Sequence, residues 1–190
     1  MTDRDEARET LRSDAERNRH RIADAARAAF RELGADAPIK EIAKRAGVGT
    51  ATLYRRFPTR EDLLAYVFAD RLTGCEESVL TALTNPDPWQ GLVDHVNHLA
   101  ELQLEDRAFT AVFLYDFPHD SPVSRSRTEA GAALRRLLQT AKTAGDLRQD
   151  VDVDDVMLLL KAHDGVVRWS SEPEQESQRL IERFLRSLHT

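Results

Sequence analysis

With one cysteine, Cys75, in 190 residues, the chain cannot close a disulfide on itself, which suits a reducing cytoplasm. Cys75 reads as a small residue on a helix flank. No uninterrupted apolar run approaches the ~20 residues that cross a bilayer, so no membrane span is expected. The opening MTDRDEARETLRSDAERN has no apolar stretch of the kind a secretory leader needs. Alternating apolar and polar residues are absent as well, which leaves little room for strands and points to an all-helical protein. No nucleophile elbow, phosphate-binding glycine loop or dinucleotide fingerprint is present. Enzyme chemistry built on those motifs is excluded, and no cofactor is implied.

What is present is an uneven distribution of charge. The net charge of −6 would by itself argue against nucleic acid as a partner. Between Arg17 and Arg60, however, eleven basic residues stand against four acids, and from Val67 onward thirteen stand against twenty-one. A basic segment carried on an acidic body is the electrostatic footprint of a DNA-binding head. Most of these cations are arginine, whose planar fork suits phosphate and guanine.

The periodicity divides the chain into an arm at 1–15, charged and without an apolar stripe, a head at 16–62 and a body at 63–190. The arm reads as disordered. A first helix carries Ile22, Ala26, Ala29, Phe30 and Leu33 on one face and ends at Gly34. Pro38 opens a short helix that Gly47-Val48-Gly49 breaks. A second short helix, Thr50 to Phe57, stops at Pro58. Thr59, with Asp62 three residues on, forms a variant capping box. It is expected to open one long helix through Leu63, Leu64, Val67, Phe68 and Leu72. About five helices follow: one after Pro88, a short one holding Phe109, Val112 and Phe113, one ending near Gly145, one capped by Asp152 and one after Pro173.

Two short helices joined by a glycine-containing turn form a helix-turn-helix. Gly47 supplies the unusual backbone angles of the turn, and Ala43 lets the helices cross closely. Ile42, Ala46, Val48 and Leu53 fill the core behind them. The run from Ile42-Ala43-Lys44-Arg45-Ala46 through Leu53-Tyr54-Arg55-Arg56-Phe57-Pro58 into Glu61-Asp62-Leu63-Leu64 closely resembles the signature of the TetR family of transcriptional regulators. Arg21 to Ala26 and Phe30 to Gly34 resemble that family's first helix, and the likeness covers about the first third of the chain.

The resemblance implies an N-terminal three-helix DNA-binding domain and a C-terminal helical domain for ligand binding and dimerisation. It implies a recognition helix in the major groove, presenting Gly49, Thr50, Ala51 and Thr52 to DNA with Tyr54 on phosphate. Arg55 and Arg56 would reach phosphate or base edges, and Arg60 and Lys40 the backbone. Arg19, within the Arg17–Arg21 cluster, either contacts phosphate or is solvated helix charge. Tyr54 equally suits core packing. Where the family often has threonines ahead of the second helix, Ala37 and Pro38 stand, so a hydroxyl contact to phosphate is lost. The partners implied are palindromic double-stranded operator DNA, a small-molecule inducer and a second copy of the chain.

In the body, the helix around Leu160 is apolar on two sides, Leu159, Leu160 and Val167 on one and Ala162, Gly165, Val166 and Trp169 on the other. A helix apolar all round is buried all round. Gly165, Val166 and Trp169, with Ile181, Phe184 and Leu188 of the last helix, are therefore expected to form a homodimer seam, an internal core helix being the alternative. Phe68, Phe109 and Phe113 offer apolar surface, and His95 and His163 inward polar groups, for a largely apolar ligand. His98 shares a face with Asp94, Glu101 and Glu105 and is expected to be exposed. Two rival readings remain. One is a helical metalloenzyme using inward histidines, although no cysteine or carboxylate joins them at helical spacing. The other is an architectural DNA binder without a ligand, which the length of the body argues against.

Overall fold

The computed structural model describes residues 3–34, 36–106, 109–110 and 121–190. It falls into two compact units, 1–67 and 68–190. The boundary lies after Val67, five residues beyond the expected one.

The first unit holds α1 (Asp3–Leu33), α2 (Ile39–Arg45), α3 (Thr50–Arg56) and α4 (Arg60–Val67). Residues 3–15, expected as a disordered arm, continue α1 as helix. Charge without an apolar stripe gives no packing signal, but a run rich in Ala, Glu and Arg still has good helix propensity. Ile22, Ala26, Ala29 and Phe30 bury the inner face of α1, and Gly34 ends it at φ +81°. Ile42, Ala43 and Ala46 of α2, Leu53 of α3 and Leu63, Leu64 and Val67 of α4 complete this core. Gly47 makes the turn at φ +64°, a conformation that costs an L side chain about 1–2 kcal/mol. The Thr59–Asp62 capping box forms in both directions: the Asp62 amide donates to Thr59 Oγ1 at 3.0 Å and the Thr59 amide to Asp62 Oδ2 at 3.1 Å.

The expected single helix from Thr59 to Leu72 is two. Phe68, at φ −114° and ψ 16°, interrupts it, and α5 (Ala69–Leu83) starts afresh. Apolar spacing cannot register such a break, because both pieces keep their stripe.

The second unit adds α6 (Pro88–Glu105), α7 (Pro122–Ala144), α8 (Val153–Trp169) and α9 (Pro173–Leu188). Each start has a local cause. Asp87 and Ser121 cap α6 and α7 ahead of a proline in the first turn, and Asp152 forms a full capping box with Asp155 on α8. Gly91 lets α6 meet the end of α5, since a Cβ there would stand 2.6 Å from the Ala82 carbonyl oxygen. Val79, Leu92, Val96, Leu134, Leu137, Leu138, Val156, Leu159, Ile181 and Leu185 form the shared core. No strand occurs among the described residues. One isolated bridge pairs Leu147 with His189, and the Arg148 amide donates to the Leu188 carbonyl at 3.0 Å.

Candidate nucleic-acid interface and body cavities

Helix α3 is amphipathic over two turns. Leu53 is buried, while Gly49, Thr50, Ala51, Tyr54 and Arg55 are exposed and Thr52 and Arg56 half-buried. Tyr54, which the spacing left between core and surface, is 50% exposed. Lys40 of α2 is exposed as well.

Several arginines of this basic head are used to build it. Arg21 Nη2 donates to the Ala46 carbonyl at 2.7 Å, closing the end of α2 against α1. Arg45 pairs with both Glu41 and Glu32, at 2.9 and 2.8 Å. Those partners lower the Glu41 carboxyl and raise Arg45, in each case chiefly through their hydrogen bonds. Arg60 is half-buried and donates through Nη2 to the Ala37 carbonyl at 2.7 Å. Arg19 lays its guanidinium over the Tyr66 ring, 4.5 Å from the centroid, and also faces Phe57 at 5.4 Å. Neither Arg19 nor Arg60 stands as the fully solvated phosphate hand that charge counting suggests. Stacking and carbonyl capping need a partner distant in sequence, so linear charge patterns could not show them.

In the body, a cavity of about 360 Å³ opens between α5, α6, α7 and α8. Leu99, Leu134, Val156, Met157 and Leu160 give it apolar walls, with Cys75 and His95 beside them. Ser124, Arg127 and Thr128 of the first turns of α7 supply its other polar groups. A second cavity of similar volume, lined by Ser78, Glu77, Asp94 and His98 among others, shares His95 as a wall.

His95 is buried and its Nδ1 lies 3.0 Å from Ser78 Oγ. Burial, with a smaller contribution from His98, pushes its pKa down to about 4. His98 is half-buried, not exposed as its helical face suggested, and its Nε2 has no hydrogen-bond partner among the described residues. Cys75 is buried and lines the first cavity, and burial pushes its thiol up to about 12, which keeps it protonated.

His163 is fully buried and lines neither cavity. Its Nδ1–H donates to Gln103 Oε1 at 2.6 Å, and its Nε2 accepts from Ser177 Oγ at 2.6 Å. Gln103 Nε2 in turn donates to the Leu160 carbonyl at 3.2 Å. Both ring nitrogens are satisfied with the ring neutral, and burial lowers its pKa. The Ser–His–Gln order looks like a nucleophile relay, but Ser177 is only 4% exposed and serves to join α6, α8 and α9. Phe68 and Phe109 are likewise core. They are buried, with ring centroids 6.1 Å apart, and line neither cavity. Phe113 lies outside the described residues. Among the described residues, no group of three or more His, Cys, Asp or Glu is placed to hold a metal ion.

The two sides of α8 differ. Leu159, Leu160 and Val167 are buried, whereas Leu158 is 63% and Trp169 86% exposed. Ala162 is exposed and Gly165 and Val166 half-buried between them. On α9, Ile181 and Leu188 turn into the core of their own protomer, contrary to expectation, while Phe184 is half-buried at its margin. Helix α9 has room for only one deeply buried stripe, and Ile181, Leu185 and Leu188 occupy it. Leu158, one turn before Ala162, was missed, although its i−4 spacing places it on the outer face.

Residues 22–67 match the tetR family of bacterial regulatory proteins, and residues 87–189 match the C-terminal domain of SbtR-like transcriptional regulators. An HTH-type transcriptional regulator of Staphylococcus aureus strain USA300 is 43% identical over 58 residues. That match covers 30% of this chain and 31% of the relative. A TetR transcriptional regulator from Streptomyces coelicolor superposes with a TM-score of 0.54 at 28% identity, over 90% of this chain and 98% of that one. A tetR-family regulatory protein from Rhodococcus RHA1 shares the fold, with a TM-score of 0.67 at 23% identity over 90% and 96% of the two chains.

Proposed function

The chain belongs to the tetR family of bacterial regulatory proteins, a transcriptional regulator with a helix-turn-helix DNA-binding domain, and from that premise we propose that it is a repressor released from its operator by a small, largely apolar ligand. Its role is regulatory, not catalytic.

One observation carries the DNA-binding half: α3 buries Leu53 and leaves Thr50, Ala51, Tyr54 and Arg55 exposed on a basic unit. The hydroxyls of Thr50 and Thr52 can bond to several base edges, and a threonine methyl can pack on the thymine methyl. Tyr54 and Arg55 supply phosphate contacts that fix register, and Arg56 reaches a base edge or phosphate. Lys40 adds a backbone contact. Arg60 and Arg19 serve chiefly to position α2 and α4, through the Ala37 carbonyl and the Tyr66 ring.

The homodimer reading rests on Leu158, Ala162, Gly165, Val166 and Trp169, a continuous apolar line on the outer side of α8, with Phe184 at its edge. A lone protomer would leave that line in water. A two-fold dimer presents two α3 helices and so selects an inverted repeat.

Release requires that ligand and DNA prefer different states of one dimer. The cavity beside His95 suits a ligand that is mostly apolar with a few orienting groups. The chain passes between the units at Phe68, whose backbone breaks the helix and whose ring packs on Phe109. A break there lets α4 tilt without reshaping the body core. A coupling of about 1–3 kcal/mol between the sites would weaken operator binding roughly 5- to 150-fold.

Selection from random duplex DNA with purified protein tests the first half. An inverted repeat with half-site centres about 34–36 Å apart, or a multiple of that, is expected. Recovery of unrelated sequences with no shared repeat would support the architectural reading instead.

A further inference from the structure

His95 stands in the wall of both body cavities. Ser78 lines only the second of them, and its hydroxyl lies 3.0 Å from His95 Nδ1. Among the described residues that hydroxyl has no other hydrogen-bond partner, so it donates to Nδ1. A neutral imidazole that accepts at Nδ1 carries its proton on Nε2. The Nε2–H has no acceptor among the described residues, although His95 is only 5% exposed and burial keeps its ring neutral. A buried donor without an acceptor is destabilising, so this N–H is a place where a ligand oxygen gains most. Around it the first cavity is dry: Leu99, Leu134, Val156 and Leu160 are all buried. The second cavity has the opposite character, with Glu77 and Asp94 in its lining.

We propose that the first cavity takes an uncharged, largely apolar molecule with one acceptor oxygen, a carbonyl or hydroxyl, seated on the Nε2–H of His95. The inference rests on the reading of the body as an effector-binding unit and narrows the chemistry of that effector. A charged head finds no counterpart there. None of the described lining residues is acidic, so an ammonium would leave water without a counter-charge. Arg127, the one fixed cation of the described lining, already has a partner of its own, and Cys75 is held protonated by burial. A carboxylate would therefore exchange its full hydration for a single N–H. A ketone gives up far less hydration and completes the same donor. At ~30 Å³ per water-sized group, the volume holds about a dozen non-hydrogen atoms, the size of 2-decanone.

Titration calorimetry of the full chain with 2-decanone, decanoate, decylamine and the acceptor-free butylbenzene, each below its solubility limit, tests the assignment. The ketone should bind at least about tenfold more tightly than either charged analogue, a difference of about 1.4 kcal/mol. His95→Leu, which keeps the volume and removes the donor, should weaken the ketone about tenfold and leave butylbenzene within about twofold. His95→Gln, whose amide can donate in place of the ring, should restore part of the ketone affinity. If His95→Leu melts early by circular dichroism, nitrogen NMR of the histidine rings in the unaltered chain carries the comparison. His95 should show the Nε2–H tautomer, and its Nε2 resonance should move when 2-decanone is added. An acid or amine that binds as tightly as the ketone, absence of ketone binding, equal losses of ketone and butylbenzene in His95→Leu, or an Nε2 resonance unmoved by bound ketone would each overturn the proposal. The wider reading fails separately. If decanoate or decylamine binds best and releases operator, the effector role stands and the uncharged ligand falls. If 2-decanone binds with the stated preference but leaves operator affinity unchanged, the site stands and release falls.

Discussion

Arg60 Nη2 donates to the Ala37 carbonyl at 2.7 Å, tying the first residue of α4 to the turn ahead of α2. Arg21 does the same at the other end of α2 through the Ala46 carbonyl. The short α2, which lacks a side-chain cap at Pro38, is thus braced at both ends by arginines from other helices.

Arg55 and Arg60 should therefore behave differently when each is changed to Ala. Loss of Arg55, exposed on α3, should make the dependence of log K on log salt shallower by about one unit, with stability unchanged. Loss of Arg60 should lower stability by about 1–2 kcal/mol, because the Ala37 carbonyl loses a charged donor, and should alter the salt slope less. Urea unfolding with binding at several salt concentrations separates the two. A full unit of slope lost at Arg60 with no change in stability would make it a phosphate contact and no brace.

Gly165 offers a clean test of the dimer. Among the described residues of its own protomer, a Cβ at this position meets nothing within 4 Å, so Gly165→Leu should leave the protomer fold intact. Replacing a mid-helix glycine should even raise helix stability slightly. If α8 packs on its mate through this face, the added side chain should shift sedimentation toward monomer and weaken operator binding with it. A fully dimeric Gly165→Leu protein at micromolar concentration would place the seam elsewhere.

His95 predicts acid sensitivity. Its folded pKa is about 4 against about 6.5 unfolded, so between those values the unfolded chain holds a proton that the folded chain does not. Stability from this group is fully present above about pH 6.5 and is lost as pH falls toward 4. From about pH 7.5 to about pH 5 the loss should reach about 2 kcal/mol. His163 is shifted in the same direction and adds to it. Urea midpoints should fall with acid in the wild type and less in His95→Gln. Equal falls in the two proteins would assign the acid sensitivity to other groups.

What the sequence disclosed follows from how local each cause is. Gly34, Gly47 and Gly145 take positive φ as their positions suggest, and the caps at Thr59 and Asp152 form as spelled. Such features need only neighbours within a few residues. Features that need distant partners were not legible. Nothing near His163 in sequence announces Gln103 or Ser177, and nothing near Arg19 announces Tyr66. The cavity was half legible: His95 lines it, but Phe68, Phe109 and His163 went into the core, and Arg127 came from a helix read only for its leucines. An apolar periodicity tells which face is inward, not whether that face meets packed core or open volume.

Reciprocity between the two sites tests the central claim most directly. Thermal-shift screening of small apolar acids and alcohols supplies a cavity ligand, and selected duplex DNA supplies the operator. Calorimetry then measures ligand affinity for the bare dimer and for the dimer saturated with operator. A ligand that weakens operator binding by some factor, about 5- to 150-fold for a coupling of about 1–3 kcal/mol, must itself bind the operator complex more weakly by that same factor. That matched loss is the predicted result, and equal ligand affinity with and without operator would contradict it.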